Sequence, residues 1–197
     1  MASKTDELKK IRDEVFAFKE SPLYAERVKN KVFPVLGEGS HDAAIMFIGE
    51  APGKNEAATG RPFCGAAGKV LDELLASESI SRKDVYVTNI VKDRPPMNRD
   101  PLPEEIVAYA PFLERQINII QPKVIATLGR FSMQYILQKH APETVGGISI
   151  LHGQIIEGKT SYGNVKIIPL FHPAVALYKP ESKEQMKEDM KILKKYI

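Results

Sequence analysis

The sequence predicts an α/β protein: a mostly parallel sheet with helices on both faces. Two observations carry this. Short apolar runs at residues 43–48, 85–88, 124–128 and 165–171 read as buried strands, because a strand covered on both sides needs no polar alternation. Segments with apolar residues at helical spacing lie between them, and strands alternating with helices point to a parallel sheet.

The elements follow in order. Residues 5–19 place Leu8, Ile11, Val15 and Phe18 on one helical face. The strand at 43–48 ends in Gly49. Residues 67–75 continue Val70, Leu71, Leu74 and Leu75 as one face of a helix. After the second strand, Pro103 opens a helix with Glu104 and Glu105 in its first turn, where the helix dipole favours acids. That helix carries Ile106, Tyr109, Leu113 and Ile117. Gly129 leads from the third strand into another helix. Residues 148–157 read as an extended stretch pairing nearby, and 181–196 as a polar C-terminal helix.

The 197 residues suit a single domain over residues 1–197 with a full core. The net charge of +3 does not by itself announce nucleic-acid binding, so such affinity requires local clustering of Lys and Arg. The one cysteine, Cys64, excludes an intramolecular disulfide and a Cys-based metal site. Residues 1–10 are charged and lack the apolar core of a secretory signal, and no apolar run approaches the ~20 residues of a membrane span. A reducing, cytoplasmic setting is the expectation.

Parallel sheets bind ligands in a crevice at the carboxyl ends of their strands. The residues just past the four strands are Gly49-Glu50, Asn89, Gly129 and His172. Three of the four strand ends therefore offer side chains capable of chemistry.

Three segments surround these positions. The first is Gly49-Glu50-Ala51-Pro52-Gly53, then Glu56, then a Gly60–Gly68 stretch containing Phe63. Its glycines let backbone approach a ligand closely, although an ordinary strand-to-helix turn with Phe63 in the core has the same composition. The second contains Asn89, with Lys92, Arg94 and Arg99 after it. An Asn side chain sets a donor beside an acceptor, matching a pyrimidine edge, and it equally suits a turn cap. The basic cluster suits phosphate contact or a solvated loop. The third is Phe171-His172-Pro173-Ala174-Val175-Ala176-Leu177-Tyr178, with Lys179 beyond. Here a histidine either meets a ligand or serves structure.

Taken together, these segments resemble the motifs of the iron–sulfur (family-four) uracil-DNA glycosylases, whose pattern runs GE(A/G)PG, GxPFxGxAG, TNxVKxRPPxNR and HPA. The resemblance spans about residues 37–180. It implies a three-layer α/β/α fold around a four-stranded parallel sheet, and an enzyme that flips uracil out of single- or double-stranded DNA and hydrolyses its glycosidic bond. Phe63 would stack on the base, Asn89 would bond its O4 and N3–H edge, and His172 would donate to O2. Glu50 would position the water, with Glu56 second. Gly49, Ala51 and Gly53 complete the substrate-binding positions, and Glu56 or the backbone near Gly53 would block the thymine methyl. Val175, Ala176 and Leu177 would form a wedge in the DNA, and Lys92, Arg94, Arg99 and Lys179 would serve phosphates.

The chain departs from that family at all four cluster cysteines, which align with Phe18, Ser21, Asp93 and Tyr109. Thiolates hold such clusters, so no cluster and no other cofactor is expected. The four residues are expected to share one neighbourhood, with Ser21 and Asp93 hydrogen-bonded near the Tyr109 hydroxyl. A related branch attaches covalently to DNA through a histidine in a loop that corresponds to residues 93–102. That segment holds no His here, so hydrolysis without a trapped adduct is expected, by a monomer. The readings kept open beside this one are a glycosylase for another deaminated base, such as hypoxanthine, and a module that binds uracil or abasic DNA without cleaving it.

Overall fold

The computed structural model describes residues 2–197. Six strands form one sheet: β1 (Glu38–Gly39), β2 (Ile45–Gly49), β3 (Tyr86–Asn89), β4 (Val124–Leu128), β5 (Ile156–Thr160) and β6 (Gly163–Leu170), in the order β1-β3-β2-β4-β6-β5. The four strands expected from the apolar runs, β2, β3, β4 and β6, form the parallel centre. The expectation of four strands is corrected by two short antiparallel edges, β1 on β3 and β5 on β6. Neither edge strand is an apolar run. One has two residues and the other reads IEGKT, with only Gly158 buried, so hydrophobic patterning does not reveal them.

Nine α-helices pack around the sheet among the described residues: α1 (Lys4–Ala17), α2 (Tyr24–Asn30), α3 (Lys54–Thr59), α4 (Ala66–Ser77), α5 (Pro103–Ile120), α6 (Arg130–His140), α7 (Ile148–Leu151), α8 (Val175–Tyr178) and α9 (Ser182–Lys191). Ser3 caps α1 by accepting from the Asp6 N–H at 3.1 Å. Glu105 in the first turn of α5 accepts the Leu102 N–H at 2.8 Å. Residues 148–157 divide into α7, a turn and the start of β5, so of the expected extended stretch only Ile156 and Glu157 lie in a strand.

Alternation along the strands divides the core in two. Met46, Ile48, Ile125 and Ile167 face α1, α5 and α6, whose Ile11, Leu113, Ile117 and Ile136 are fully buried. Ile45, Phe47, Ala126 and Ile168 face α4 and α9 through Leu71, Leu75, Met186 and Met190. Side chains two apart share a face, so each central strand feeds both cores and the molecule has three layers. No helix among the described residues is long and apolar enough to cross a membrane.

Candidate active site

Parallel pairing sets Gly49 directly beside Asn89, and Leu128 beside Leu170. The chain segments that leave these ends enclose a cleft of about 530 Å³ lined by Glu50, Phe63, Asn89 and His172, with Ala51, Gly53 and Glu56 on its wall. The predicted crevice is therefore where the strand ends place it.

Asn89 forms the floor. It is 2% exposed, and its side-chain amide makes no hydrogen bond to another described residue. A buried amide left open toward a cavity favours a ligand that fills its donor and acceptor. Gly49 makes this possible. A Cβ there would lie 2.4 Å from Asn89 Oδ1 and 2.6 Å from Phe63 Cζ. Only hydrogen lets the amide and the ring close together.

Phe63 is 6% exposed and holds φ at +47°, a left-handed conformation that costs a non-glycine residue about 1–2 kcal/mol. Two contacts over-determine it. Glu56 Oε1 accepts the N–H groups of Cys64 at 3.1 Å and Gly65 at 2.9 Å. A Cβ on Gly68 would sit 1.7 Å from the Phe63 carbonyl oxygen, so α4 docks there only as glycine. Glu56 is thus committed to the loop that presents the ring, which argues against it as the alternative water-positioning carboxylate.

Glu50 lies half-buried in the cleft, with its pKa pushed up to about 7. Burial is the main cause. The Asp100 carboxylate adds to it, and Arg130 opposes. Arg130 and Asp100 pair with each other at 2.7 Å. A carboxylate with its pKa near neutrality is matched to general-base work. No sequence motif marks Asp100 or Arg130. They are 30 residues apart and carry no local signal.

His172 completes the set. Its Nδ1 accepts the Ala174 N–H at 3.2 Å, which leaves the proton on Nε2. Burial pulls the ring pKa down to about 4, with the Glu56 charge acting the other way. The imidazole is therefore a neutral donor at physiological pH. Its ring centroid lies 5.8 Å from that of Phe63. Gly129, at φ +96°, gives it room, for a Cβ would come within 3.1 Å of His172 Cβ.

The basic and apolar rim is less uniform than the sequence suggested. Lys92 is fully buried and bonds only inside the protein, so its assignment to phosphate is corrected. Arg99 lines the cleft but is clasped by both oxygens of Glu105, at 2.9 and 2.5 Å. Arg94 Nε donates to Asn98 Oδ1 at 2.6 Å, and Lys179 is exposed. In the expected wedge, Val175 is half-buried and Ala176, 9% exposed, packs into the core under α8. A single helical turn must bury one side, and Ala176 is on it. The residues that α8 presents outward are Leu177, 45% exposed, and Tyr178, 85% exposed and part of the cleft rim. Tyr178 joins the cleft rim only through the fold, with no motif marking it.

The four positions aligned with cluster cysteines do meet. Ser21 Oγ donates to the Tyr109 hydroxyl at 2.5 Å, and Tyr109 donates to Asp93 Oδ2 at 2.5 Å. Phe18 packs edge-on against the Tyr109 ring, with centroids 5.8 Å apart. Arg27, which no sequence motif marked, pairs with Asp93 at 3.2 Å and donates to the carbonyls of Val15 at 3.0 Å and Phe16 at 2.8 Å. It thereby closes the C-terminal end of α1. Burial raises the Asp93 pKa, against the pull of Tyr109 and Arg27. An iron–sulfur cluster does not fit these residues. They offer no thiolate, and the fully buried Tyr109 side chain occupies the space between them.

The profile of the Uracil DNA glycosylase superfamily matches residues 36–194. The chain is 44% identical over 187 residues to a Type-4 uracil-DNA glycosylase of Sulfurisphaera tokodaii, covering 94% of this chain and 83% of that protein. It is 45% identical over 163 residues to the Type-4 enzyme of Archaeoglobus fulgidus, covering 83% of this chain and 81% of the other. For the Type-4 enzyme of Saccharolobus solfataricus the identity is 43% over 192 residues, covering 96% and 86%. With a matched span of this extent, and a cleft assembled from the segments that carry the resemblance, the chain belongs to the uracil DNA glycosylase superfamily.

Proposed function

We propose that this protein is a monofunctional uracil-DNA glycosylase of base-excision repair that works without an iron–sulfur cluster. The observation that supports it most is the convergence of three groups around Phe63: an unfilled amide, a carboxylate poised near neutral pH and a neutral imidazole donor. Uracil flipped from single- or double-stranded DNA stacks on Phe63, and Asn89 reads its O4 and N3–H. The C1′–N1 bond breaks with its electron pair on the base, and His172 Nε2–H donates to O2 as charge develops there. Glu50 orients the water that bonds to C1′ and takes its proton. Leu177 and Tyr178 fill the gap in the stack, and Arg94, Arg99 and Lys179 lie toward the phosphates. The protein acts as a cytoplasmic monomer and forms no covalent adduct.

Incubation with a uracil-containing oligonucleotide, then alkali and a denaturing gel, tests this. Strand cleavage at the uracil is expected. Binding without cleavage would favour a recognition module, and preferential cleavage at hypoxanthine would favour the other deaminated base. A denaturation-resistant complex would overturn the hydrolytic route. The purified protein should be colourless and iron-free even when expressed with excess iron. A visible absorption band with stoichiometric iron would sink the cluster-free reading.

Two substitutions bear on the pocket. Asn89→Asp removes the amide donor to O4, and mismatched buried polar edges cost a site about 10²-fold or more in selectivity. Uracil preference over cytosine should fall by that order, measured by release from matched oligonucleotides. Gly49→Ala must displace the Asn89 amide or the Phe63 ring. We expect at least a tenfold lower single-turnover rate with an unchanged fold by circular dichroism; a wild-type rate would refute the close-approach role.

A further inference from the structure

Lys92 is the one fully buried lysine among the described residues, and the reaction outlined above makes no use of it. It lies three residues past Asn89, behind the floor of the cleft. Its Nζ donates to Thr88 Oγ1 at 2.9 Å, to the Asn89 main-chain oxygen at 2.6 Å and to Gln116 Oε1 at 2.6 Å.

None of these acceptors can donate back. The Thr88 hydroxyl hydrogen goes to the Leu36 carbonyl at 2.6 Å. The Gln116 amide nitrogen donates to that same carbonyl at 2.9 Å and to the Tyr86 hydroxyl oxygen at 3.3 Å, which fixes the amide orientation. The Asn89 oxygen is a carbonyl. Three acceptors with no donor among them require three N–H groups, and an amine has only two. Burial pulls the Lys92 pKa well below its ordinary value, whereas three hydrogen-bond acceptors around Nζ favour the charged form and work in the opposite direction. All three partners are neutral, so the charge is hydrogen-bonded but not cancelled. In a low-dielectric interior such a charge acts over several ångströms.

We propose that Lys92 is a positioning residue for base excision: its ammonium anchors the Asn89 main chain and sets an uncancelled positive charge behind the pocket that favours the anionic leaving base. This rests on the excision reaction proposed above. Fixed charges aimed at developing charge need no reorganisation during the reaction. The charge matters most when the departing base is a poor anion, and this gives the proposal a signature that a purely structural lysine lacks.

The experiment compares single-turnover release of uracil and of the more acidic 5-fluorouracil from otherwise identical single-stranded oligonucleotides. Two variants are used. Lys92→Met removes anchor and charge together. Gln116→Glu keeps an acceptor for Nζ and adds a carboxylate that cancels the charge, at the cost of the amide donor to the Leu36 carbonyl and the Tyr86 hydroxyl, so its fold is checked by thermal melting too. We expect uracil release to slow about 100-fold in Lys92→Met and about tenfold in Gln116→Glu, with each defect at least threefold smaller for 5-fluorouracil. Should Lys92→Met fail to fold by thermal melting, Gln116→Glu decides alone. Equal defects on the two bases, or a Gln116→Glu rate equal to wild type, would overturn the role of Lys92 while leaving the excision reaction standing. Failure of the wild-type protein to release either base would overturn both.

Discussion

Glu50→Gln is expected to lower uracil excision by about 10²- to 10⁴-fold, the usual contribution of a positioned general base, while making the folded protein more stable at pH 8. Both effects come from one environment. Burial and the Asp100 charge hold the Glu50 pKa at about 7. The ionised form needed to orient water is therefore the form the fold disfavours. For activity, kcat/KM on single-stranded uracil DNA should fall about tenfold per pH unit below 7 and flatten above it. His172, with its pKa near 4, adds no second limb in that range.

For stability the sign follows from linkage. A carboxyl whose folded pKa lies above its unfolded value adds stability that is complete below the unfolded pKa. That stability is lost as pH rises through about 7. The glutamine variant avoids the loss. Because Glu50 is open to the cleft and screened by solvent, the gain is set at about 1–2 kcal/mol, less than the full shift implies. That corresponds to a melting temperature a few degrees higher at pH 8, with no difference from wild type at pH 4. A variant that keeps a tenth of the wild-type rate, or melts lower at pH 8, would show that Glu50 is not the poised base.

Asp93→Ala is expected to have the largest effect on stability, about 3–5 kcal/mol, the usual cost of removing one partner from a buried ion pair. It would leave Arg27, with its side chain only 6% exposed, facing no carboxylate. The Tyr109 hydroxyl would lose its acceptor in the same step. Asp93→Asn should cost less, since it keeps an oxygen for Tyr109 and loses only the charge. Tyr109→Phe should cost about 1–3 kcal/mol, because Asp93 and Ser21 each lose a partner while the ring packing on Phe18 survives. Urea unfolding of the three variants tests this order. If Asp93→Ala costs under 1 kcal/mol, the network does not tie α1, α5 and the segment after β3 together. The loss should reach the site, because Asp93 lies four residues past Asn89 on that segment.

Much of the site was legible in advance because strand ends are local features. An apolar run that stops at Gly49, Asn89 or just before His172 reveals both where a parallel strand ends and which side chain stands there. Register then brings these ends together, since parallel strands buried on both faces have little freedom to slip. The four replaced cluster positions were legible for a different reason. They are fixed by alignment to a pattern, and the fold closes Phe18, Ser21, Asp93 and Tyr109 into contact across 91 residues of chain.

The sequence by itself determined the layered α/β architecture, the parallel centre of the sheet and four of the residues that meet at the cleft, Glu50, Phe63, Asn89 and His172, but not Asp100 or Tyr178 beside them. Tertiary structure alone decided how each charged or apolar side chain there is used. Lys92, Arg94 and Arg99 look alike as a basic cluster, yet one is buried with its Nζ held between β3 and α5, one holds a loop asparagine and one is clasped by Glu105. Glu50 and Glu56 look alike as carboxylates, yet only Glu50 is left without a protein donor to hold it away from the cleft. The reason is physical. Periodicity reports which backbone is buried, whereas a side chain's charge state and partners depend on atoms brought near it from distant parts of the chain.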